Sequence, residues 1–160
     1  MTLIALVQDV ALARLSLLGA RPDLVLMAVV VWSLLRGPEE GMIWAFVGGF
    51  VLDLLSGGPL GAMALALMVI AIVASRQWGR ELGSVFVQLI LLGLGLCFVY
   101  HFLLLLILSW SGYSVDWTFG LSRIAGPSAI LNALLIPFVY QPLAWLDRRS
   151  RPEGLTFDGA

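Results

Sequence analysis

Asp53 is the residue of this chain most in need of an explanation. It lies near the end of an apolar run and is followed by a glycine–proline turn, in the stretch Gly49-Phe50-Val51-Leu52-Asp53-Leu54-Leu55-Ser56-Gly57-Gly58-Pro59-Leu60-Gly61. An ionisable group at bilayer depth costs roughly 2.5–3.5 kcal/mol on insertion scales, and usually has a purpose. A carboxylate so placed can relay a proton, hold a substrate, pair with a cation or cap a turn. Arg123, six residues from Trp117 on the last apolar run, is the cation at a matching depth. An Asp53–Arg123 salt bridge is therefore geometrically possible. One carboxylate with an arginine partner makes a poor titrating relay. The expected role of Asp53 is accordingly structural: it pairs with Arg123 or Arg21, or caps the reversal at Gly57-Gly58, and so holds the helices on either side of Pro59.

The other candidates are weaker. In Arg21-Pro22-Asp23 the aspartate falls in the first turn of an apolar run, where a negative charge complements the helix dipole. His101 follows Tyr100 among leucines, and no second His, Cys or carboxylate is spaced to make a metal site with it. Cys97 is the single cysteine, so no intramolecular disulfide or thiolate cluster can form. No serine has the surroundings of a hydrolase nucleophile. These residues argue against an enzyme and imply no cofactor and no metal.

Elements that could position such residues follow from composition. Hydrophobic residues make up 61% of the 160 and charged residues only 12%. Soluble domains carry about 25% charged residues, so too little polar material is present to cover a water-facing surface. The chain reads as an all-α integral membrane protein. Dyad alternation, the mark of a membrane β-barrel, is absent from the almost continuously apolar stretch 89–108. A net charge of −1 argues against nucleic acid as a partner, since that needs a basic surface. The start of the chain lacks the anatomy of a secretory signal, so its first helix is expected to be retained.

Six helices are expected, at about 3–18, 22–36, 41–56, 59–75, 82–111 and 117–147, with a polar cytoplasmic tail over 148–160. Fifteen residues rise only about 22 Å against a hydrocarbon core near 30 Å, so the shorter helices require local thinning or snorkelling if they cross. Arg36, Arg76, Arg80, Arg148, Arg149 and Arg151 fall on one side of this count, and Arg21 alone lies in a loop on the other. That asymmetry places both termini in the cytoplasm. Trp32, Trp44, Trp78 and Trp145 mark the inner boundary and Trp110 and Trp117 the outer one, as aromatic belts do. Small residues share helix faces at Gly41, Ala45 and Gly48, with Gly49 beside them, and at Ala62 and Ala66. Such faces suit close helix contact, either within the bundle or with a partner's membrane helix.

With this topology in place, Arg21-Pro22-Asp23-Leu24 and the Gly49–Gly61 stretch, above all Asp-Leu-Leu-Ser-Gly-x-Pro-Leu-Gly, resemble the rod shape-determining protein MreD family. Length, small loops and a basic cytoplasmic end agree over nearly the whole chain; the short, polar first helix departs from the pattern. The resemblance implies a non-enzymatic component of the bacterial cell-elongation machinery in the inner membrane, which helps control cell shape and peptidoglycan synthesis. It implies MreC as a partner, through its membrane helix and juxtamembrane region, with MreB and peptidoglycan synthases reached through the complex. It also implies a fold similar to the substrate-binding subunits of energy-coupling-factor transporters. A vitamin-binding transporter subunit is thus the rival reading. Arg21, Pro22, Asp23, Gly48, Gly49, Asp53, Gly57, Gly58, Pro59, Gly61 and Arg123 are the residues expected to matter for structure or partner binding.

Overall fold

The computed structural model of the chain describes residues 22–76 and 85–150. Their elements are all helical: α1 (Leu24–Arg36), α2 (Pro38–Ser56), α3 (Ala62–Ala74), α4 (Val85–Trp110) and α5, one continuous helix over Trp117–Ser150. The helix expected at 3–18, together with Arg21, Trp78, Arg80 and Arg151, lies outside the described residues.

α1 occupies the centre. Every residue from Val25 to Trp32 is buried, and the helix packs against α2, α3, α4 and α5. Its sequence, Leu-Val-Leu-Met-Ala-Val-Val-Val-Trp, is apolar on all sides, which is the composition of a helix without a solvent-facing stripe. This changes the account of its shortness. Its 13 residues need not match the bilayer, because neighbouring helices cover most of its surface. α4 and α5, by contrast, are long and apolar enough to cross a membrane.

Several boundaries move from those expected. α2 begins at Pro38 rather than 41, since proline suits a first helical position and Glu39 and Glu40 complement the dipole there. α3 begins at Ala62 rather than at Pro59, because Pro59-Leu60-Gly61 form the connection. The last helix continues to Ser150, so Arg148 and Arg149 are helical rather than part of a tail. Within α5, Gly120–Ala125 is π-helical. Pro127 follows it; proline lacks an N–H and its ring crowds the carbonyl four residues back, which is that of Arg123. The widened turn relieves this crowding.

α2 and α3 form the most extensively packed pair. The buried face of α2 consists of Gly41, Ala45, Gly48, Gly49, Leu52 and Asp53, and α3 contributes Ala62, Ala64, Ala66, Leu67, Ile70, Ala71 and Ala74. The small-residue faces are thus taken up by packing inside the bundle.

Candidate functional site: the Asp53 clamp

A helix begins with backbone N–H groups that have no partner inside it. At the start of α3 the local sequence is Pro59-Leu60-Gly61-Ala62, which carries no capping side chain. Asp53 supplies one from the preceding helix. Its Oδ2 accepts from the Gly61 amide at 3.0 Å and the Ala64 amide at 3.1 Å, and its Oδ1 accepts from the Met63 amide at 2.9 Å. The remaining amide, Ala62, donates to the Pro59 carbonyl at 3.3 Å. Every opening donor of α3 is therefore satisfied. The carboxylate is 2% exposed. Its charge is held by three amides and by the positive end of the α3 dipole, and no side-chain cation pairs with it among the described residues.

The rest of the motif makes this contact reachable. Gly49, one turn before Asp53, allows the α3 backbone to lie directly on α2: a methyl group there would sit 2.6 Å from the Ala64 nitrogen. Gly57 ends α2 at φ +66° and Gly61 opens α3 at φ +93°, both in the left-handed region that side chains disfavour. The Ser56 hydroxyl donates to the Asp53 carbonyl and accepts from the Gly58 amide, tightening the turn from within. Gly58 itself does not have positive φ. Of the turn glycines it is Gly57 and Gly61, rather than Gly57 and Gly58, that have a conformational reason to be glycine.

Arg123 is not the partner of Asp53. It is exposed in the π-helical segment, and no ion pair joins the two among the described residues. The pairing failed because depth along two helices says nothing of the side each residue faces. Arg21 lies outside the described residues. A sequence signal for the real arrangement did exist: an α-helix opened by Gly61-Ala62 has no cap of its own, and Asp53 is the nearest carboxylate before it.

Asp23 stands at the N-cap of α1, where its side chain accepts from the Leu26 amide at 2.9 Å. Its own amide donates to Asn132 Oδ1 at 2.9 Å, and Asn132 Nδ2 reaches Cys97 Sγ at 3.2 Å. A buried polar chain thus ties α1, α4 and α5 together just after the buried Pro22. His101 directs Nδ1 to the Cys97 carbonyl at 2.9 Å, a contact within one helix turn that places the proton on Nδ1.

At the other end of α1 is a second polar cluster that sequence reasoning missed. Arg36 pairs with Asp147 of α5, donates to the Asp147 carbonyl at 3.2 Å and meets Glu40 at 3.4 Å. Trp32 stacks on Trp44 with centroids 4.5 Å apart and donates to Glu40 at 3.0 Å. Neither contact was marked by helical spacing: Arg36 and Glu40 lie on either side of the break at Gly37, and Asp147 is 111 positions from its partner.

The described residues contain no group of His, Cys, Asp and Glu able to hold a metal ion. The arrangement fixes helices against one another: the Asp53 carboxylate has both oxygens committed to backbone, and Asp147 and Asn132 join elements distant in sequence. No curated protein and no solved structure matches the chain. The family model of rod shape-determining protein MreD matches residues 1–148, which include the Asp53 clamp, the Asp23 cap and the Arg36–Asp147 pair. The chain therefore belongs to the MreD family of membrane-associated proteins that determine rod shape.

Proposed function

We propose that the chain acts as a non-enzymatic scaffold in the bacterial inner membrane, binding MreC and through it supporting peptidoglycan synthesis during elongation. MreB and peptidoglycan synthases are reached through that complex. In this reading the chain crosses the membrane six times, and both termini are cytoplasmic, with the Arg36–Asp147 end inside.

The observation that carries the proposal is the division of labour on α2. Its small residues and Asp53 are consumed by packing against α1 and α3. Its opposite face exposes Ile43, Phe46, Val47, Phe50 and Leu54, and Phe46 and Phe50 stack with centroids 6.1 Å apart. A rigid helix with a bulky apolar outer face suits van der Waals packing against a partner's membrane helix. The membrane helix of MreC is the occupant we assign to it.

A photoreactive amino acid at Phe46 or Phe50 tests this in membranes containing MreC. Adducts to the MreC membrane helix from these positions, and not from Ile130 or Leu134 on α5, are expected. Adducts from α5 alone would move the interface; adducts from neither would refute the proposal.

A further inference from the structure

A groove of about 440 Å³ opens between α1 and α5, lined by Leu24 and Ala28 on one side and Leu135, Phe138, Pro142 and Leu143 on the other. Its lining is wholly apolar. From 135 to 143 it runs roughly 12 Å along α5. A groove so lined takes an apolar occupant.

The chemistry at the end of the groove says what. Phe138, Pro142 and Arg149 recur at intervals of four and seven, so Arg149 lies on the same face of α5 as the groove. Between them Trp145 is half exposed, and the Arg149 guanidinium stands 4.0 Å over its ring. Tryptophan sits at the headgroup level of a bilayer; the stacking holds the cation at that level. Asp147, the acid nearest in sequence, projects about 200° around the helix and pairs with Arg36. Arg149 forms no ion pair among the described residues. From Phe138 to Arg149 the helix rises about 16 Å, close to half of a hydrocarbon core near 30 Å. The slot and its cation thus have the length of one leaflet.

We propose that this groove is a binding site for an anionic phospholipid, with one acyl chain between α1 and α5 and the phosphate on Arg149. The site is separate from the outer face of α2 and does not depend on the assignment of MreC to that face. Basic pockets between membrane helices hold anionic headgroups in this way.

The test uses the full chain in phosphatidylcholine vesicles doped with phosphatidylglycerol or phosphatidylcholine bearing a diazirine midway along one acyl chain. Adducts are mapped by mass spectrometry. Wild type should give adducts concentrated on residues 24–28 and 135–143, more with phosphatidylglycerol than with phosphatidylcholine. Arg149→Ala, at an exposed position, should lower the phosphatidylglycerol preference roughly fivefold, the loss expected for one cation at an anionic surface. Arg149→Lys should keep most of it. Equal labelling by the two lipids, lipid adducts spread evenly over α2 and α5, or a groove occupied by a second copy or another protein's helix would each overturn the proposal.

Discussion

Asp53 has two oxygens, and both are committed to amides that open the neighbouring helix. Asparagine in its place keeps one acceptor oxygen and loses the charge, so Asp53→Asn should cost about 1–2 kcal/mol. Leucine keeps no acceptor; three buried amides then lack a partner at roughly 1–3 kcal/mol each. Thermal unfolding in one detergent should rank wild type above Asp53→Asn and Asp53→Asn above Asp53→Leu. The turn glycines divide in the same manner. Valine at Gly61, where φ is +93°, should destabilise by roughly 1 kcal/mol or more, whereas valine at Gly58, which lacks positive φ, should be tolerated better. Equal loss at both positions would show that the turn is constrained by something other than backbone conformation. The need for a structural carboxylate at Asp53 was legible from the cost of placing it there. Its partners were legible only in part: the uncapped start of α3 pointed to the nearest preceding carboxylate, but an arginine at similar depth was the more visible candidate.

The helices themselves were largely legible, and the misplaced boundaries share a cause. Proline marks both the first turn of a helix and the loop before it. Pro38 proved to be inside α2 while Pro59 proved to be outside α3. What separates the two is tertiary: Asp53 fixes the start of α3 at Gly61, two residues beyond Pro59. The contact between α1 and α5 rests on Arg36 and Asp147, whose side chains are 19% and 5% exposed. Removing one member of a buried pair costs about 3–5 kcal/mol, and an exposed pair contributes about 0–1 kcal/mol. Asp147→Ala should therefore lower thermal stability far more than Glu40→Ala, whose side chain is 44% exposed. Comparable losses would indicate that Glu40 carries the contact. The start of α5 is sensitive to pH for a local reason. Hydrogen bonds from the Phe119 amide and then the Thr118 hydroxyl hold Asp116 below its ordinary value of 3.8. This contribution is complete above that value and is lost as pH falls through the lowered one. The protection of the Phe119 amide, measured against its intrinsic exchange rate at each pH, should fall in acid in the wild type, and should already be low near neutrality in Asp116→Ala.

At the scale of the molecule, a central apolar helix is held at both ends by polar contacts and wrapped by the four other described helices. Asn132 and Asp23 act near its start, and Arg36 and Asp147 at its end. The interior is thus specified by a few long-range polar contacts set in generic apolar packing. Composition could reveal the packing but not the contacts. The arginine asymmetry predicts that Ser150→Cys reacts with a membrane-impermeant thiol reagent only from the cytoplasmic side. Labelling from outside would invert the topology.

We propose that Asp53 builds a scaffold for MreC, its carboxylate serving the fold through the three α3 amides it accepts from. The most direct test measures thermal stability and MreC co-purification together for wild type, Asp53→Asn and Asp53→Leu expressed with MreC. The two quantities should fall in parallel, Asp53→Leu losing most of both and Asp53→Asn retaining much of each. An Asp53→Leu protein that is stable and retains MreC in full, while cells lose rod shape, would contradict the account and make the carboxylate a functional group in its own right.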